Sequence, residues 1–352
     1  MTAYSRAKYQ AAGHDGALID ESGSLFIKPT NDQEIEFYTK INELERSTDY
    51  NKDKQDDDDD DGMKLIDWIP NFMGILEKGI TNEIKEKQVI SEEYTKEFSN
   101  NKDNNEKYLV LENLLHGFKS PSIIDIKLGS ILTDEFATKE KKLRLQKISD
   151  STTSGNLSFR VCGMKLVHKE NEEENNLNLL INSYPNISNL KQFITIGEDN
   201  YISFNKFYGR GLNISTIVNN FQIFFKYNKL STSQQQKIIR NTFTRLQLLY
   251  NCLLEKEIRI ISGSLLLVYE NDLDRWNEFD NHDPIFRDYY EINDDDDDDD
   301  DDDEHDQKQA PLSLLSMIDF AHSKIVPGKG YDENIIKGVE NLMNLIETMI
   351  DE

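Results

Sequence analysis

Asp125 and Lys127 stand two positions apart in the stretch PSIIDIKLGS, residues 121–130. In a strand, residues i and i+2 face the same way. One carboxylate and one ammonium would then share a face, with Ile124, Ile126 and Leu128 packed behind them. Two chemistries fit this pattern. The first is a surface ion pair, worth about 0–1 kcal/mol. The second is phosphoryl transfer, in which a carboxylate receives or orients the attacking hydroxyl and cations hold the developing phosphate charge. Spacing alone leaves both open.

Three further sets of residues could join such chemistry. Lys28 ends the apolar run Leu25-Phe26-Ile27 and precedes Pro29. It either snorkels to solvent or reaches nucleotide phosphates, as a strand lysine does in protein kinases. Asp319 follows an apolar strand-like run in SMIDFAHS, with His322 three positions on. An acid leaving a buried strand beside phosphates is suited to Mg²⁺, and a buried, hydrogen-bonded structural Asp fits the pattern equally well. Between residues 119 and 147, Lys119, Lys127, Lys139, Lys141, Lys142, Arg144 and Lys147 face only Asp125, Asp134, Glu135 and Glu140. On a helix Lys141 and Arg144 share one side, forming either a solvated face or a wall for a polyanion.

The elements that must position these groups are partly legible. Residues 18–28 predict a hairpin around Glu21-Ser22-Gly23. Ile35, Tyr38, Ile41 and Leu44 predict a helix over 33–46. A strand is expected at 107–112, a helix at 134–148, and a long helix at about 231–256 with Ser/Thr caps. IRII and LLLVYE predict strands joined through Ser262-Gly263-Ser264, and an amphipathic helix is expected near 332–350. The segments 47–62, 169–200 and 271–310 predict, respectively, an acidic loop, a polar asparagine-rich loop and an acidic insertion. A strand-rich beginning and a helix-rich end predict an α+β chain of two lobes.

Composition narrows the class. The 352 residues carry a net charge of −26. Asp56–Asp61 and Asp294–Asp303 supply 16 of the 66 acidic residues, and removing these 16 from −26 leaves −10. The tracts predict disordered surface loops or docking sites for basic partners such as histones and DNA-binding proteins. Direct nucleic-acid binding is not expected. No apolar run approaches the ~18 residues of a membrane span, and the N-terminal thirty residues do not resemble a signal peptide. Cys162 and Cys252 are far apart, which suits a reducing compartment and argues against a disulfide frame or zinc site. The chain lacks G-x-G-x-x-G, G-x-x-x-x-G-K-[ST], H-R-D and A-P-E, so neither a P-loop NTPase nor a protein kinase fits.

The order P-x-x-x-D-x-K-x-G (Pro121, Asp125, Lys127, Gly129), then S-L-L (Ser264, Leu265, Leu266), then I-D-F (Ile318, Asp319, Phe320) resembles the inositol polyphosphate kinases. Further matches are FIKP at 26–29, EFY at 36–38, TTSGNLSFRVCGMK at 152–165, NKFYGRGL at 205–212 and GKGYDENIIKGVENL at 328–342. The acidic insertions and T-T-S-G segment are most like fungal members. The resemblance implies a two-lobed α+β fold related to protein kinases. Residues 1–112 would form a small β-rich N-lobe, and 113–352 a larger C-lobe. It implies ATP as co-substrate, Mg²⁺ (or Mn²⁺), and multikinase conversion of InsP3 to InsP4 and InsP5. The alternatives are a single-specificity InsP3 3-kinase, an InsP6 kinase, or an acidic-tract nuclear interaction protein.

By position, Lys28 would hold ATP phosphates, and Glu112 and Leu114 would offer hinge groups to adenine. Asp125 would orient the inositol hydroxyl, and Lys127 would bind phosphate. Asp319 would bind ATP through the metal it holds, with Ser264 behind it and Gly129 close by. Lys141, Arg144, Lys206 and His322 would line the inositol phosphate site. Arg144 stands where other members often have glutamine, and the segment 169–200 is longer than usual. The likeness further implies a nuclear protein, with the cytoplasm as a second location. It would act in arginine-responsive transcription, through transcription factors or chromatin proteins at the Asp tracts; with no heptad or exposed apolar stripe in the sequence, a monomer is expected.

Overall fold

Leu25–Thr30 (β3) is a short strand with antiparallel neighbours on both sides. In the computed structural model it pairs with Leu18–Ile19 (β2) and with Lys107–Glu112 (β5). Ser5–Arg6 (β1) and Phe72–Glu77 (β4) complete a first sheet of order β1-β2-β3-β5-β4. The structure describes residues 4–7, 16–50, 63–77, 107–168, 187, 189–197, 199–286 and 311–350. Both acidic tracts lie outside these.

The predicted hairpin at 18–28 is present, and a helix, α1, spans Asp32–Tyr50. It continues three residues past the start of the segment read as an acidic loop. Its inward register differs from the expected stripe. Glu34, Phe37, Tyr38, Ile41 and Glu45 are buried, whereas Leu44 is exposed. The i, i+3, i+4, i+7 spacing holds, but two of its positions are carboxylates, which hid it from a count of apolar residues.

The larger sheet lies in the C-terminal part, contrary to a helix-rich end. Its order is β12-β11-β6-β7-β9-β8. The strands are Pro121–Leu128 (β6), Phe159–Val167 (β7), Ile194–Ile196 (β8), Tyr201–Phe204 (β9), Ser264–Glu270 (β11) and Ser313–Ile318 (β12). All neighbours run antiparallel. Ile258–Ile260 (β10) leaves this sheet and pairs instead with Ser323–Ile325 (β13). Thus the two strands flanking Ser262-Gly263 belong to different sheets. The segment 169–200 is not all loop, because β8 forms the edge of the sheet.

Among the described residues eight α-helices follow in chain order. After α1 come Lys139–Asp150 (α2), Thr153–Leu157 (α3), Lys206–Gly211 (α4) and Ile217–Lys226 (α5), then Thr232–Glu255 (α6), Leu273–Glu278 (α7) and Glu333–Glu347 (α8). Helix α2 starts five residues later than predicted, since the Thr138 side chain caps it by accepting from Lys141 N. Helix α6 opens on a capping box between Ser231 and Gln234. Helix α7 lies inside the segment read as an acidic insertion, and its Arg275 and Trp276 are buried. Gly129 has φ +89, and a Cβ there would stand 2.3 Å from Asn334 Nδ2 on α8. Asn334 Oδ1 accepts from Ser130 N and Ile131 N, so the loop after β6 and the start of α8 close on each other. No described helix is long and apolar enough to cross a membrane.

Candidate active site

Strand β6 is covered on both faces. Ile124, Ile126 and Leu128 enter the main core, while Ile123 joins a smaller cluster with Leu114, Val268 and Leu314. Alternation therefore carries one face from apolar Ile123 to Asp125 and then Lys127. Asp125 is 2% exposed, so the pair is not a surface ion pair. No protein group hydrogen-bonds its Oδ1. Burial pushes its carboxyl up to about 7; Lys127 and Arg160 pull it down, and Asp319 raises it. Lys127 is half-buried, and its Nζ donates to the Ser262 carbonyl. Ser262 itself has a left-handed backbone, φ 60.

Lys28 does not snorkel to solvent. Its Nζ lies 2.8 Å from Glu34 Oε1 and 3.2 Å from Asp319 Oδ1, across 291 positions of sequence in the second case. Burial opposes its charge, but Asp319 and Glu34 outweigh that and raise its pKa. Glu34 was missed by reading sequence; the signal was a carboxylate on the buried register of α1. It also accepts from Thr30 Oγ1 at 2.7 Å and from Phe320 N at 3.0 Å. Asp319 adopts φ 67, a left-handed conformation that is costly for a residue with a Cβ. The next residue holds it there. The Phe320 ring stacks on Phe37 at 4.8 Å and meets Tyr38 edge-on at 5.4 Å.

The segment joining the two sheets is pinned at each end. Glu112 N donates to Asn71 O, and Asn71 Nδ2 donates back to the Glu112 carboxylate. Asn113 N and Nδ2 donate to Ser24 O and Gly23 O. The turn's own bonds run from His116 N to Asn113 O and from Phe118 N to Leu115 O, and neither uses Leu114. Leu114 instead packs into the small apolar cluster beside Ile123.

Basic residues on β7 stand opposite both ends of β6. In register with Lys127 across β7 stands Arg160, which is buried and donates to Ser154 Oγ at 2.8 Å. Lys165 stands opposite Ile123 and lies 3.4 Å from Asp199. Neither was singled out from sequence, although Arg160 and Lys165 flank a β-bulge at Cys162 that brings both to the face of Asp125. Lys141 is half-buried and Arg144 exposed on α2. Lys206, on α4, is exposed over the Phe207 ring at 5.6 Å. These three make no hydrogen bond or ion pair with Lys28, Asp125 or Lys127 among the described residues. His322 Nδ1 lies 2.8 Å from Asp134 Oδ2. Ser264 is fully buried and sits in register with both Lys127 and Ile318, so it ties β6 to the strand that ends at Asp319.

No three His, Cys, Asp or Glu side chains cluster as a metal cage among the described residues. Asp319, whose charge also raises the Asp125 carboxyl, offers one carboxylate ligand, which suffices for a hard cation held mainly by phosphate oxygens. The residues fit such an ion. Together they place a buried carboxylate of raised pKa, cations on both sides, and an apolar floor in one site.

Comparison with known proteins agrees with this chemistry. The family model described as inositol polyphosphate kinase matches residues 108–347. The chain is 39% identical over 364 residues to the inositol polyphosphate multikinase of Saccharomyces cerevisiae, covering 97% of each. It is 26% identical over 342 residues to the inositol polyphosphate multikinase of Schizosaccharomyces pombe, covering 97% of this chain and 96% of that one. The crystal structure of the S. cerevisiae inositol phosphate multikinase in complex with ADP and Mn²⁺ superposes with a TM-score of 0.68 at 34% identity, covering 94% of this chain and 100% of that chain.

Proposed function

The chain belongs to the inositol polyphosphate kinase family, and from that membership we propose that it is an ATP-dependent inositol polyphosphate multikinase. The observation that carries the reading is Asp125, a buried carboxylate with an unbonded oxygen and a pKa near 7, beside Lys127. A general base works best with a pKa near the operating pH. Asp125 accepts the proton of an inositol hydroxyl, or orients that hydroxyl, as it attacks in line. Lys28 holds the nucleotide phosphates, held charged by Glu34 and Asp319. Backbone groups of Glu112 and Leu114 meet adenine. Lys127, Lys141, Arg144, Lys206 and His322 bind substrate phosphates. Residues 1–112 act as the nucleotide lobe and 113–352 as the substrate lobe.

The ADP and Mn²⁺ of the S. cerevisiae structure support ATP as donor with Mg²⁺ or Mn²⁺. Asp319 would hold that ion, which supplies charge neutralisation at the phosphates when bound. Catalysis by the chain itself comes from positioning and electrostatics.

The substrates are InsP3 and InsP4. Purified protein with ATP, Mg²⁺ and Ins(1,4,5)P3 should give InsP4 and then InsP5 on ion-exchange chromatography. Arrest at one InsP4 would instead make it a single-specificity 3-kinase, and turnover of InsP6 alone an InsP6 kinase. The two Asp tracts support a second role, as a nuclear protein docking basic transcription factors or chromatin proteins in arginine-responsive transcription. Deleting Asp294–Asp303 should abolish that capture and spare kinase turnover; capture that survives the deletion refutes the role.

A further inference from the structure

We propose that Asp134 is a positioning residue for the kinase reaction, acting through His322. The proposal rests on the kinase reading and on His322 standing at the substrate. His322 lies three residues after Asp319, and Asp134 lies in the turn between Gly129 and the basic helix α2. Their 2.8 Å contact, Nδ1 to Oδ2, spans the two segments that carry Asp319 and the basic helix. Both ends are fixed. Asp134 Oδ1 accepts from Phe136 N, leaving Oδ2 for the imidazole. On the other side, Ile261 N donates to His322 O, and Asn31 Nδ2 donates to Ala321 O.

A carboxylate that accepts from Nδ1–H sets both the tautomer and the ring orientation, and leaves Nε2 as the nitrogen that meets a ligand. No described residue bonds Nε2. Asp134 has only 15% of its side chain exposed and His322 35%, so the contact is partly screened from water on the carboxylate side.

The same two segments carry a built-in control. One residue past Asp134 and two past His322, Glu135 and Lys324 pair at 2.6 Å with side chains 62% and 46% exposed. That pair tethers the same segments but touches no ring. If Asp134 merely tied the turn to β13, Glu135 would matter as much. If it orients imidazole, only Asp134 will matter.

The test uses the full chain, ATP and Ins(1,4,5)P3, with H322A, D134N, the double variant and E135Q. H322A should lower kcat/KM roughly 10²-fold, and D134N about 10-fold. In the H322A background, D134N should cost nothing further, and E135Q alone should stay within about twofold of the parent. Independently of turnover, ¹⁵N NMR of the imidazole should show His322 protonated on Nδ1 in the parent and not held so in D134N. A full D134N loss in the H322A background, an unaffected H322A, or a parent ring protonated only on Nε2 would each overturn the proposal. Should the parent phosphorylate no inositol phosphate, the kinase reading falls, and the NMR comparison still decides whether Asp134 sets the ring.

Discussion

Two carboxylates on neighbouring strands of one sheet are equally buried and treated in opposite ways. Glu270, at the end of β11, accepts backbone N–H bonds from Lys119, Ser120, Asn271 and Asp272 at 2.7–3.0 Å. Arg275 lies 3.5 Å from it, and both side chains are almost wholly enclosed. Asp125, on β6, has one oxygen with no protein partner, and burial drives its pKa to about 7. The sheet can satisfy a buried carboxylate and does so where the carboxylate holds the inter-sheet segment in place. An unsatisfied one costs free energy, and such groups concentrate where chemistry needs them. Glu270 serves the fold; in the proposed reaction Asp125 serves the chemistry.

That contrast can be attacked from the structural side first. Glu270→Ala takes the carboxylate from beside buried Arg275 and the side-chain acceptor from the N–H groups of Lys119, Ser120 and Asp272, while Asn271 N keeps Ser120 O. Urea unfolding should show a loss of roughly 3–5 kcal/mol, with any residual activity following the folded fraction. A loss below 1 kcal/mol would erase the distinction drawn between the two carboxylates.

The pH dependence sharpens it. Asp125 titrates near 7 when folded against an ordinary 3.8, so the folded state holds this proton more tightly than the unfolded state. Its favourable contribution is present in full below pH 4 and is lost as pH rises to about 7. The integrated change is about 4 kcal/mol. The difference in unfolding free energy between the parent and Asp125→Asn should therefore vary by that amount between pH 4 and 8; a flat difference would mean an ordinary carboxyl.

Smaller effects test the frame around the site. Gly129→Ala combines a left-handed φ with a Cβ 2.3 Å from Asn334 Nδ2, and should cost about 1–3 kcal/mol in thermal unfolding. Lys206→Ala should leave stability within about 0.5 kcal/mol, since its ammonium is exposed. Its effect should appear in KM for the inositol phosphate rather than in kcat.

How much of this was legible depended on distance along the chain. Helix α6 announced itself because its cap, Ser231 with Gln234, is local. Glu34 did not, because Phe320 N, which it accepts from, lies 286 positions away, and Asp319, which shares Lys28 with it, lies 291 positions from that lysine. Asp125 and Lys127 could be placed on one face, but whether that face was covered depended on β11, β7 and the turn at Leu114. Composition misled at 271–310, where ten consecutive aspartates obscured Trp276 and Arg275 nearby. The roles assigned to Lys141, Arg144 and Lys206 came from family likeness, because a half-buried Lys141, an exposed Arg144 and a Lys206 resting on the Phe207 ring make no contact with Asp125 or Lys127 from which to derive them.

The most direct test of the central claim is Asp125→Asn measured for turnover of Ins(1,4,5)P3 and for urea stability on the same sample at pH 8. The account predicts a turnover loss of at least about 10³-fold with stability equal to or above that of the parent. Turnover within tenfold of the parent, or a protein unfolded by the change, would contradict it.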